Sequence, residues 1–103
     1  MTPTQRSLAH LRKEGYRVAI VEKWNPHARI RQDLFGCVDL LAIKAGETLA
    51  VQTTSGSNVA ARVKKIAEAE AIADIRAAGW TFHVHGWRKN AQGKWVLRVE
   101  DVS

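Results

Sequence analysis

Between Asp33 and Ser55 the chain reads DLFGCVDLLAIKAGETLAVQTTS, two apolar runs separated by Ala45-Gly46-Glu47. Runs rich in Val, Leu and Ile and joined by a glycine-bearing turn predict the two strands of a hairpin. This stretch constrains the fold most, because strand alternation fixes which residues share a face. Cys37, Asp39, Leu41 and Ile43 are expected on one face of the first strand. In the second, Thr48, Ala50, Gln52 and Thr54 share a face, opposite Leu49, Val51 and Thr53. Asp39 interrupts an apolar run, where an unpaired carboxylate is costly to bury. If the polar faces coincide, Asp39, Gln52 and Thr54 converge at one end of the hairpin. A carboxylate and an amide oxygen are hard ligands suited to Mg²⁺. The same residues also fit a solvated strand end, with Asp39 tied to a backbone N–H.

A chain of 103 residues suffices for one core, so a single domain over 1–103 is expected. With 46% hydrophobic and 25% charged residues, the balance excludes a disordered polyelectrolyte. No apolar run approaches the roughly 20 residues of a membrane span. The start, MTPTQRSLAHLRKEG, lacks the apolar segment of a signal peptide. The lone Cys37 excludes an intrachain disulfide, which suits a reducing, cytoplasmic setting. The cysteine and histidine spacings fit no zinc site. A formal charge of +6 favours polyanionic partners, nucleic acid first. The basic residues fall in three clusters. Lys23, Arg29 and Arg31 flank one loop; Arg62, Lys64 and Lys65 open a helix; Arg88, Lys89 and Lys94 bracket a turn.

Thr2-Pro3-Thr4-Gln5 predicts a capped helix start, with Leu8 and Leu11 as a narrow apolar stripe and Gly15 as the stop. Residues 17–24 alternate as a first strand, with Glu22 its only acid. Residues 25–36 read as a long polar connection, in which Arg29 and Arg31 contact phosphates or are simply solvated. Ser57 or Asn58 caps a helix reaching about Ala78. Val59, Val63, Ile66, Ala73 and Ala77 form one stripe of it. Glu70 falls in that stripe while Ile72 and Ile75 lie off it, so an irregularity near Glu70 is weighed against burial on a broad front. Residues 80–87 and 94–102 complete two further strands. His83 and His85 share a face without a third ligand. The four tryptophans are expected in or beside the core; stacking of Trp24 or Trp87 on a base is the alternative.

The order helix, three-stranded meander, helix, two strands resembles the PD-(D/E)XK nuclease core, and in outline the small archaeal Holliday-junction resolvases and the VRR-NUC and phage-type nucleases. The resemblance spans nearly the whole chain. It rests on LRKEGYRV leading into strand one, FGCVDLLA around Asp39 and LAVQTT around Gln52. It implies an α/β domain with a mixed central sheet and a Mg²⁺- or Mn²⁺-dependent DNA endonuclease, structure-selective or non-specific, acting as a homodimer where the resolvases are followed. Asp39 matches the metal-binding Asp and Gln52 takes the place of the second acid. The Thr53 carbonyl would face the metal, and Thr54 stands where the family has Lys. Gln52 lacks a charge and Thr54 lacks an ammonium. The acid of the first helix in junction resolvases would fall near Gln5, also an amide. Asp33 and Glu22 are candidates for the missing carboxylate, and Lys64 or Lys65 for a migrated ammonium. Lys23, Arg29, Arg31, Arg62, Lys64, Lys65, Arg88 and Lys89 would carry the DNA backbone. The departures keep two alternatives open: a nuclease-like module that binds nucleic acid without cutting it, or an assembly subunit with a basic face.

Overall fold

The computed structural model describes residues 1–103. Helix α1 (Pro3–Lys13) begins at the expected capping box: Thr2 Oγ1 accepts the Gln5 N–H and Gln5 Oε1 accepts the Thr2 N–H. Its buried stripe is Thr4, Ser7 and Leu11, with Leu8 half-buried, so the expected Leu8–Leu11 stripe is replaced by a largely polar one. Those hydroxyls have partners, as burial requires. Thr4 Oγ1 meets Thr53 Oγ1 at 2.7 Å. Ser7 Oγ accepts the Trp87 indole N–H at 2.8 Å and is hydrogen-bonded to His85 Nδ1 at 2.9 Å. Burial pushes the His85 imidazole down to about 4, so near neutral pH it stays neutral as a member of this network.

The main sheet has the order β1 (Arg17–Ile20), β4 (Leu40–Lys44), β5 (Glu47–Ser55), β6 (Thr81–Lys89), β7 (Trp95–Asp101). β1, β4 and β5 run as an antiparallel meander, β5 and β6 are parallel, and β7 returns antiparallel to β6. A parallel pair needs a long crossover. Here it is a 3-10 turn (Gly56–Asn58) followed by α2 (Val59–Ala67) and α3 (Ile72–Ala77). The element order and mixed sheet are those expected from the sequence. Leu11, Leu40, Ala42, Leu49 and Val51 form the core under α1. Cys37, Val38, Ala50, Val59, Ile66, Ile72, Ile75, Phe82 and Val84 form the core under α2 and α3. Each Val, Leu, Ile or Phe so buried contributes roughly 1.5–3 kcal/mol. Gly86 lets α2 start close against β6, since a Cβ there would lie 2.3 Å from Val59 Cγ2. No helix is long and apolar enough to cross a membrane.

Three expectations are corrected and one alternative is decided. The first strand is not continuous over 17–24: it leaves the main sheet after Ile20, and Lys23–Asn25 (β2) pairs instead with Ile30–Gln32 (β3). The connection 25–36 is therefore not all loop, but half of a two-stranded ribbon outside the sheet. Of the two alternatives left open for 58–78, the irregularity near Glu70 is the one found: the helix is broken between Ala67 and Ile72, which resets its phase so that Ile72 and Ile75 face the core while Ala73 and Ala77 are exposed. Trp24 and Trp95 are exposed, at 56% and 42%, rather than packed.

Candidate metal centre

The site forms where β1, β4 and the ribbon meet the end of β5. Val21 N–H donates to the Asp39 carbonyl at 2.9 Å, so the meander reaches one residue beyond each named strand. There the β4–β5 register slips. Leu40 is the partner of Val51, yet Asp39 N–H also donates to the Val51 carbonyl. Two residues opposite one make a β-bulge, a device that re-aims a side chain. The Asp39 carboxylate turns to Thr53: Oδ2 accepts the Thr53 N–H at 2.8 Å and the Thr53 hydroxyl at 3.3 Å. Simple alternation had placed Asp39 on the face of Gln52 and Thr54, away from Thr53.

Three carboxylates close on one another here. Oxygens of Glu22, Asp33 and Asp39 all lie within 4.8 Å of each other. Glu22 and Asp33 sit at the two feet of the ribbon, immediately before β2 and immediately after β3. Asp39 is only 5% exposed. Burial pushes its carboxyl up to about 7; the Thr53 N–H opposes the shift, while a hydrogen bond with Asp33 and the charges of Asp33 and Glu22 add to it. Gln52 enters from the other face of β5, its Nε2 donating to Asp33 Oδ2 at 3.2 Å. Gln52 thus supports Asp33 through its Nε2. Its Oε1 is buried without a partner. Three carboxylate oxygens this close together could hold a metal ion.

The carboxylates open on a cleft of about 430 Å³, lined by Pro3, Glu22, Arg31, Asp33, Asp39, Thr53, Thr54, Ser55, Arg62 and Lys65. Arg31 Nη1 lies 3.5 Å from Glu22 Oε1. Arg62 and Lys65 reach the cleft from α2, whereas Lys64, one residue away, is exposed outside it. Thr54 lines the wall but brings no charge. Lys23 and Arg29 are exposed on the ribbon, and Arg88 and Lys89 are exposed at the end of β6, outside the cleft. Gln5 is engaged in the helix cap. His83 turns toward Asp101, at 3.8 Å. A wider depression of about 760 Å³ carries Arg12, Arg17 and Lys44 but no acid, at the opposite end of β1 and β4.

Compared with family profiles, with characterised proteins and with solved structures, the chain matches none. The fold and the site define an α/β domain with an acidic, cation-rimmed cleft at the end of its central meander.

Proposed function

We propose that this protein is a divalent-metal-dependent DNA endonuclease of the PD-(D/E)XK type, hydrolysing phosphodiester bonds by structure or without selectivity. The observation that carries the reading is the closure of Glu22, Asp33 and Asp39 to within 4.8 Å in a polar cleft rimmed by Arg31, Arg62 and Lys65. Acids alone would repel DNA; acids ringed by cations accept a phosphate once a metal neutralises them. A Mg²⁺ or Mn²⁺ ion held by the three carboxylates would polarise the scissile phosphate and lower the pKa of an attacking water. Thr53 fixes the Asp39 carboxylate, and Gln52 fixes that of Asp33. Arg31 and Arg62 seat the flanking phosphates. Lys65 takes the role that Thr54 cannot, placing an ammonium beside the phosphoryl oxygens as negative charge develops. Glu22 and Asp33 stand in for the acid that Gln52 replaces.

The uncharged pair Gln52 and Thr54 favours one second reading, a module with this fold that grips DNA without cutting it. One experiment separates the two: incubation of the purified protein with supercoiled, linear and branched DNA in Mg²⁺, Mn²⁺ or EDTA. The nuclease reading expects nicking or cutting with either metal and none in EDTA. Salt-sensitive binding without cleavage in any metal would leave the binding module.

A further inference from the structure

The ribbon that carries Glu22 and Asp33 at its feet has an exposed aromatic on its outer part. Trp24 is the direct partner of Arg31 across β2 and β3, so the two side chains share a face. By alternation that face continues to Glu22 on one strand and Asp33 on the other, and the 3.5 Å contact between Arg31 and Glu22 agrees. Trp24 therefore stands on the same face as two of the three site carboxylates. It lies about 7 Å further out along the ribbon from Glu22, within the reach of one or two nucleotides. At 56% exposure, its ring rests on no core. Arg31 is the cation on its face and meets Glu22, while Lys23, next to it in β2, points to the other face and Arg29 lies in the tip turn. The ribbon is held apart from the main sheet, and its tip is set by Asn25 Oδ1, which accepts the His27 and Ala28 N–H groups, with Arg29 in the left-handed region at φ 53°.

We infer that Trp24 is a stacking platform for an unpaired base next to the phosphate in the cleft. The substrate class is then DNA that offers such a base, single-stranded or at a branch, rather than continuous duplex. A cation beside an exposed ring, on a ribbon with further cations, is the combination that single-strand binding uses: charges follow the backbone, and the ring accepts any base face. In duplex DNA the bases are stacked on one another and the ring has nothing to receive. The inference rests on the nuclease reading for the identity of the site, and on the ribbon alone for the stacking.

The test is equilibrium binding in EDTA, by fluorescence anisotropy, of a labelled single-stranded oligonucleotide and a duplex of the same sequence. Wild type binds the single strand more tightly. Trp24→Ala loses about five- to a hundredfold on the single strand, the span of base–aromatic stacking, so that the preference collapses. Trp24→Phe retains most of it, and Trp24→Leu, apolar but not aromatic, behaves as Trp24→Ala. An unchanged preference in Trp24→Ala, or an equal loss on both forms, overturns the inference. Binding in EDTA requires no catalysis. A collapsed preference in a protein that never cuts would therefore sink the nuclease reading and leave stacking in place, while cleavage with an unchanged preference would do the reverse.

Discussion

Asp39 carries a conflict between charge and burial. An unfolded aspartate titrates near 3.8, and in the fold burial above all raises this one to about 7. Between those values the folded chain holds a proton that the unfolded chain has released. Stability from this group is thus fully present below about pH 4, is lost as the pH rises, and is gone above about 7. In EDTA, the stability of Asp39→Asn relative to wild type should grow from pH 4 to pH 7 by an amount on the order of a few kcal/mol. Taking the difference between the two proteins removes titrations independent of Asp39, that of His85 among them, while those of Asp33 and Glu22 enter together with it. Saturating Mn²⁺ should narrow the gap by stabilising wild type alone. Denaturant melts of both proteins across that range check this, and a pH-independent gap would mean that the carboxylate is solvated. Gln52 gives a second expectation. Its Nε2 donates to Asp33, so Gln52→Glu replaces a donor with a fourth carboxylate and should cost about 1–3 kcal/mol in EDTA. Added Mg²⁺ should recover part of the loss, and an unchanged melting temperature would mean that the hydrogen bond from the Gln52 amide to Asp33 is not made. Asp39 was legible in the sequence as a charge inside an apolar run. Its facing was not, because alternation assumes an unbroken ladder and a bulge leaves no mark in single residues.

Among the elements, the hairpin of β4 and β5 could be read because period-two burial and a Gly turn agree over many residues. The ribbon β2–β3 could not: strands of three residues, KWN and IRQ, are too short and too polar to show a period. Yet this ribbon brings Glu22 and Asp33 beside Asp39. The break before α3 was visible only as a conflict of phase between Ile66 and the pair Ile72 and Ile75, which a continuous helix buried on a broad front would equally have met. α2 also decides between two lysines that adjacent positions in the sequence leave equivalent. Lys65 lines the cleft and Lys64 does not. Lys65→Ala should lower cleavage by about one to three powers of ten, in the range of losing one charge-stabilising donor, while Lys64→Ala leaves the chemical step unchanged. Single-turnover rates decide it, and equal losses would remove Lys65 from its role. On the ribbon, Arg29→Ala with Arg31→Ala should weaken binding to all duplex sequences alike. The slope of log affinity against log salt should fall by roughly two units, since phosphate contacts are non-specific. A loss confined to some sequences would mean that the arginines read bases.

At the scale of the whole molecule, a chain of formal charge +6 brings three of its ten acids together at one place. The N-terminus of α1, the ribbon, the end of β5 and the first turns of α2 all border that cleft. A fold that gathers three carboxylates within 4.8 Å and surrounds them with cations suits metal and phosphate together, and this pairing is the central claim. Its most direct test compares wild type with Asp39→Asn on the same DNA, measuring cleavage in Mg²⁺ or Mn²⁺ and binding in EDTA. Removing one anionic ligand cripples metal binding and at the same time lessens repulsion toward phosphate. The account predicts metal-dependent cleavage by wild type, none by Asp39→Asn, and DNA affinity in the variant equal to or above that of wild type. Undiminished cleavage by Asp39→Asn, or no cleavage by wild type in either metal, would contradict it.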